Sequence, residues 1–200
     1  CIDRDADTRA NFEPLAARHP GSLHFVHGSY ADMRRDAARF GHERVDGILL
    51  DLGFSSFQIE DPRRGFSFMH EGPLDMRYDQ TTGITASELI ATADEDELTR
   101  ILYQYGEETR ARKIARVIVR ERDRRKIEYT HHLANMIEWT VGPKHGSKRH
   151  HPATKTFQAL RIAVNDELGE VERGIQAGLN LLALGGRFAV ISFHSLEDRI

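Results

Sequence analysis

The sequence predicts an α/β fold, a parallel doubly wound sheet carrying an inserted all-helical stretch. Two observations carry the sheet and a third carries the insertion. Short apolar runs alternate with helical spacing over residues 1–51, and the alternation returns over residues 157–193. Strand–helix–strand repeats of this kind close as parallel pairs with right-handed crossovers. Between them, residues 83–149 hold helical spacing with no strand signal.

Ile2-Asp3, apolar then acidic at the start of the chain, reads as the end of a buried strand. A strand needs neighbours, so further chain is expected ahead of residue 1. Residues 6–19 read as a helix closed by Pro20-Gly21. Residues 23–26 read as a short strand, and residues 30–40 as a helix stopped by Gly41. Residues 45–51 form an apolar strand with Asp51 at its carboxyl end. Residues 52–82, rich in Gly, Pro, Asp and Arg, read as a loop of a length that usually marks function.

Helices are expected over residues 86–91, 94–105, 107–125 and 130–141. Phe157, Leu160, Val164, Leu168, Val171, Ile175, Leu179 and Leu182 then fall at steps of three and four, one continuous helical stripe. Gly169, Gly174 and Gly178 each weaken that helix by roughly 1 kcal/mol relative to Ala, so the bend or break is expected there. Gly185-Gly186 caps it, and residues 187–193 make a further strand. The domain division is therefore 1–82 and 150–200 for the two parts of the sheet domain and 83–149 for the insertion.

Hydrophobic residues at 40% and charged residues at 30% describe a globular chain, not a disordered one. The stretch 175–184 is too short and interrupted to cross a bilayer, and no signal peptide opens the chain, so a cytoplasmic protein without membrane partners is expected. Cys1 is the one cysteine, which excludes an intramolecular disulfide and a multi-cysteine zinc site. His145, His150 and His151 lack a Cys or acid at ligand spacing, so no metal is expected. A net charge of -3 excludes coating of nucleic acid by bulk charge. It leaves room for local patches. Residues 107–126 hold nine Lys or Arg against four acids, with Arg112, Arg116 and Arg120 on one helix face. Over residues 141–156, Lys144, Lys148, Arg149 and Lys155 form a second basic segment with no acid. Both are candidate phosphate-backbone surfaces.

In an open parallel sheet, ligands bind at the carboxyl ends of the strands. Polar residues follow each predicted strand: Asp3, then His27 to Tyr30, then Asp51 to Ser56, then His194 to Asp198. An acid such as Asp3 can accept from ribose hydroxyls of either a nicotinamide dinucleotide or S-adenosylmethionine. Tyr30 reads equally as a cover for an adenine face or as a helix-start residue packed on the core. Methylation of a pyrimidine ring carbon needs a nucleophile, usually a thiolate, and Cys1 lies outside any loop. A pyrimidine methyltransferase with this sequence should therefore act on a heteroatom. A dehydrogenase would need a glycine fingerprint that the chain lacks.

Several segments together carry a resemblance. They are Asp51 to Gln58, Arg64 to Met69, Gly72 to Arg77, Tyr105 to Glu108, Lys155 to Ile162, Val164 to Leu168 and Ile191 to Arg199. In these the chain closely resembles the RsmH family, formerly MraW, over essentially its whole length. The resemblance implies a Rossmann-like S-adenosylmethionine-dependent methyltransferase domain with an inserted helical, RNA-binding domain. It implies methylation of the exocyclic N4 of a cytidine in the decoding region of small-subunit ribosomal RNA, in assembled or nearly assembled subunits. By position, its cofactor contacts fall on Asp3, Tyr30, Asp51 and Gln58. Asp51, Ser55 and His194 are the catalytic candidates. The family commonly has Phe at the position of Tyr30, Val and Pro at those of Phe54 and Phe57, and Pro at that of Leu184. Its Gly-Gly-His cofactor loop and first strand are not in this chain, nor is its tail, so the chain by itself is expected to be inactive. The alternative is an RNA-binding module that keeps the fold without the activity.

Overall fold

The computed structural model describes residues 1–142 and 151–200, which form two compact units. One joins Cys1–Gly53 to Glu167–Ile200, and the other is Phe54–Asp166. These boundaries differ from the expected 83–149 insertion. The helical unit also takes in the loop after β3 and the helix after residue 151, because both pack into its core.

In the first unit, β1 (Ile2–Asp3) leads into α1 (Thr8–Arg18) and β2 (Val26–His27). A 3-10 turn (Tyr30–Asp32), α2 (Met33–Arg39) and β3 (Val45–Asp51) follow. After the second unit the chain returns through α9 (Glu167–Leu181) and β4 (Leu182–Ile191). β1 pairs with β2 and β3 with β4, both parallel as expected. The two pairs are separate two-stranded sheets, not one doubly wound sheet. A continuous sheet needs a strand hydrogen-bonded to both pairs, and none of the described residues supplies it.

Met33, Leu50, Leu52, Val171 and Leu181 form the core of this unit, with Ile48, Ile175 and Phe188 packed against it. The long helical stripe does not run unbroken to residue 182. It divides into α8 (Thr154–Asn165) and α9, with Asp166 left-handed between them at φ 49°. Asp tolerates that conformation better than most side chains. The glycines expected to break the helix instead lie inside α9. A Cβ at Gly174 would collide with the Tyr30 ring, and one at Gly178 would stand 2.6 Å from the Phe188 ring. They admit aromatic rings against the helix, which is why α9 tolerates their poor propensity.

The second unit contains α3 (Ser56–Glu60), a 3-10 turn (Pro62–Arg64), α4 (Ala86–Thr92), α5 (Glu95–Gly106), α6 (Ala111–Arg122), α7 (Thr130–Val141) and α8. The four long helices turn apolar faces inward: Leu98, Ile101 and Leu102 from α5, Ile114 and Ile118 from α6, Leu133 and Ile137 from α7, Phe157 and Leu160 from α8. Asp94 caps α5, and Thr85 with Glu88 makes a reciprocal capping box on α4, satisfying amides that have no helical partner. Gly106 lets α5 lie against α8, since a Cβ there would stand 2.6 Å from the Lys155 carbonyl oxygen.

The segment between α3 and α4 has little regular structure but is not loose. Leu74 and Met76 are fully buried in the helical core. The Leu74 amide donates to the Glu128 carbonyl, and the Thr130 amide to that of Gly72. Gly65 adopts φ 69°, and a Cβ there would collide with the Pro73 carbonyl oxygen, so the two halves of the segment cross where only glycine fits.

Candidate functional site

In the first unit the predicted residues gather at the carboxyl ends of the strand pairs. Asp3 ends β1 in register with His27 of β2. Its Oδ1 accepts the Asp5 amide at 2.8 Å, so one carboxylate oxygen also shapes the turn into α1. Tyr30 follows β2. Its neighbour Ser29 caps the 3-10 turn through Oγ and donates its hydroxyl to Glu170. The Tyr30 ring lies against Gly174 and packs, still partly exposed, on the core of this unit. Burial pushes its phenol well above the ordinary range, and Glu170, Glu167 and Glu197 add to the shift against an opposing Arg4. Tyr30 is therefore a neutral phenol at every physiological pH.

Asp51 ends β3 with its side chain exposed and stands in register with Ile191 of β4. His194 lies just beyond that same strand pair, so the structure brings Asp51 and His194 to one sheet edge. His194 Nε2 is 3.3 Å from Oε1 of Glu197, whose side chain is 1% exposed. Glu197 Oε2 accepts the amides of Phe193 at 2.9 Å and His194 at 3.4 Å.

Ser55 and Gln58 fall in the second unit, at the start of α3. There they form a capping box. Ser55 Oγ accepts the Gln58 amide at 3.3 Å, and Gln58 Oε1 accepts the Ser55 amide at 2.8 Å. Both have a local structural use that the sequence reading left out. In the same unit, stacked Phe54, Phe66 and Tyr78 lie beside Arg161, whose guanidinium stands 4.6 Å from the Phe54 ring centroid.

Of the basic candidates, Arg112 reaches Asp96 at 3.2 Å and Glu95 at 3.8 Å, and Arg116 reaches Glu95 at 3.4 Å. These pairs are solvent-exposed. Arg120 is exposed on the same helix. Lys144, Lys148 and Arg149 lie outside the described residues. His151 contacts Glu138 at 3.7 Å and packs on Phe68.

The sequence alone places Glu197 only within the polar run 194–198 and gives no role to Glu167 or Glu170. The only local signal was the three-residue spacing of His194 and Glu197, because Glu167 and Glu170 reach the same neighbourhood from a distant helix. No helix among the described residues is long and apolar enough to cross a membrane.

The MraW methylase family model matches residues 1–200. A protein of Rhodospirillum centenum is 52% identical over 199 residues, covering 100% of this chain and 60% of that protein. One from Granulibacter bethesdensis is 50% identical over 199 residues, covering 100% and 59%. One from Methylococcus capsulatus is 50% identical over 200 residues, covering 100% and 66%. All three are named ribosomal RNA small subunit methyltransferase H. The chain thus spans about three-fifths of the length of the relatives it matches. A match across every residue, including the segments around Asp51, Arg64 and His194, places this chain in the MraW methylase family.

Proposed function

We propose that the protein carrying this chain transfers a methyl group from S-adenosylmethionine to the exocyclic N4 of a cytidine in the decoding region of small-subunit ribosomal RNA. The observation that carries this reading is the shared edge of Asp51 and His194 in a chain whose relatives are named for ribosomal RNA methylation. It acts in the cytoplasm on assembled or nearly assembled subunits.

The donor chemistry at the strand ends suits an adenosyl cofactor. Asp3 offers a carboxylate to ribose hydroxyls, Tyr30 an aromatic wall, and Asp51 an exposed carboxylate on a rigid strand. Gln58 is the fourth contact. The cofactor supplies an electrophilic sulfonium methyl. The cytidine amine is a poor nucleophile because its lone pair is delocalised into the ring. Asp51 accepts a hydrogen bond from that amine, localises the lone pair and aligns it. His194 borders the base, which leaves its stack to enter. No thiolate is needed, in keeping with an exposed Cys1 at the head of the chain. Arg112, Arg116, Arg120, Lys144, Lys148 and Arg149 hold the RNA backbone.

The test is nucleoside mass spectrometry after incubating the full-length protein and small subunits with labelled cofactor. Label on N4 is expected. Label on carbon 5 or on ribose refutes the reading, and RNA binding with no label supports a module without activity. Asp51→Asn should abolish most turnover while leaving the melting temperature near that of the parent. His194→Ala should lower turnover with little change in cofactor affinity.

A further inference from the structure

Three side chains of the first unit converge beyond the end of β4, and only one of them, His194, has a part in the proposed methyl transfer. His194 follows the strand. Glu197 sits in the next turn, which is closed by the amides of Glu197 and Asp198 on the His194 carbonyl at 3.1 and 3.3 Å. Glu167 is the first residue of α9. One ring nitrogen and two carboxylate oxygens, one donor from each residue, lie within 4.8 Å of one another. Both glutamates are 5% exposed.

Three observations separate this cluster from an ordinary ion pair. The first is orientation. Two backbone amides fix Glu197 Oε2, which leaves Oε1 facing the imidazole. Hydrogen bonds of this kind orient carboxylates that bind metals. The second is His194 itself. Both its ring nitrogens are shut off from solvent, and neither makes a hydrogen bond with a described residue. A buried ring nitrogen in that state calls for a partner, and Nε2, which faces Glu197 Oε1 at 3.3 Å, is placed to take an ion. The third is charge. Glu167 and Glu197 bring two buried carboxylates to one ring nitrogen, all within 4.8 Å, so the neighbourhood favours a cation.

We propose that Glu167, His194 and Glu197 bind one divalent transition-metal ion, of the class of Mn²⁺ or Zn²⁺. An imidazole nitrogen among carboxylate oxygens suits these ions better than Mg²⁺ or Ca²⁺. The 3.3 Å between His194 Nε2 and Glu197 Oε1 is close to the spacing of two donors bound at about 2.1 Å to one tetrahedral ion. Such an ion ties the head of α9 to the turn after β4. The expectation of no metal rested on histidines near residue 150, whereas these donors come from elements far apart in the chain.

Electron paramagnetic resonance of Mn²⁺ titrated into chelator-treated full-length protein tests the site. About one bound ion per chain is expected, displaced by Zn²⁺. Glu197→Gln keeps an acceptor for the two amides but removes the charged ligand, and His194→Ala removes the nitrogen. Each should weaken Mn²⁺ binding by at least about tenfold. In the unaltered protein Mn²⁺ should raise the melting temperature and chelator should reverse the rise. That pair of measurements needs no variant, so a misfolded mutant leaves the site decided. A free-ion spectrum up to roughly 1 mM Mn²⁺ overturns the proposal, as does binding that survives both substitutions. Neither readout uses methylation, so failure of this site and failure of the proposed activity are separate results.

Discussion

The side-chain amide of Asn165 donates to the main-chain oxygen of Met76 at 2.7 Å and so holds a fully buried methionine in a left-handed conformation, φ 65°. The same side chain accepts the Tyr78 amide through Oδ1 at 2.7 Å and donates to the Arg161 carbonyl. One residue at the end of α8 thus fixes the segment between α3 and α4. Asn165→Ala strands these partners in a buried place, at about 1–3 kcal/mol for each unmet group. Chemical denaturation should show a loss of roughly 2–4 kcal/mol, and a loss under 1 would mean water replaces the amide. Met76→Gly relieves backbone strain of about 1 kcal/mol but removes a fully buried side chain, worth about 2–5 kcal/mol, so it too should destabilise.

Gly174 and Tyr30 make a second pair. Gly174→Ala drives a methyl group into the ring and should cost about 1–3 kcal/mol. In a Tyr30→Ala background the obstacle is gone, and alanine gains up to about 1 kcal/mol of helix propensity over glycine. The same substitution should then stabilise. Thermal melts of the four proteins measure this reversal, and a cost that persists without the ring would place the clash elsewhere.

These two pairs show what the sequence could and could not convey. β3 and α7 occur over the very residues expected, because an apolar run and a helical stripe are local signals. The break at Asp166 was not legible, since it depends on Asn165 meeting partners some 90 residues away in the chain. Glycines in a helical stripe read as weak points, while their use is to admit rings from other elements. Asp51 and His194 were legible as strand ends that share an edge. Glu167 was not, because nothing near it in the sequence points to β4.

Acid should weaken the second unit through Asp75. Burial raises the pKa of its carboxyl, but the Arg77 side chain and amide outweigh that and hold it below the usual carboxylate value. Arg77 Nε is 2.8 Å from Oδ1 and Nη2 2.9 Å from Oδ2. A pKa lowered by folding gives stability that is complete above the unfolded value, about 3.9, and is lost as pH falls through the folded one. Denaturation between roughly pH 6 and pH 2 should show a steeper fall for the parent than for Asp75→Asn. Equal slopes would assign the acid limb to other carboxyls.

Arg112 and Arg116 can face RNA only if Glu95 and Asp96 release them. Exposed ion pairs are weak, so phosphates can compete for these arginines. Replacing Arg112, Arg116 and Arg120 should weaken RNA binding and flatten its salt dependence, by about 0.9 in log–log slope per lost phosphate contact on a duplex and 0.7 on a single strand. Glu95→Gln should do the opposite, tightening RNA binding by releasing Arg116 and removing one of the two carboxylates that hold Arg112. Filter binding across a salt series measures both. If neither change moves the slope, this face is only solvated.

Gln58 separates a structural role from a functional one. It stands at the third position of α3, where its side chain returns to the Ser55 amide. Glu makes the same return bond in a capping box, whereas Ala cannot, and a lost cap costs about 0.5–2 kcal/mol. Gln58→Glu should therefore leave the melting temperature near that of the parent, while Gln58→Ala lowers it. Cofactor affinity reads the other role. A side-chain amide donates as well as accepts, and a carboxylate only accepts, so a cofactor group that takes a hydrogen bond from Gln58 loses it in both variants. Isothermal titration with S-adenosylmethionine should then show weakened binding for Gln58→Glu despite its intact cap. Parental affinity in Gln58→Glu, with a loss in Gln58→Ala that follows its melting temperature, would leave Gln58 as a helix cap alone.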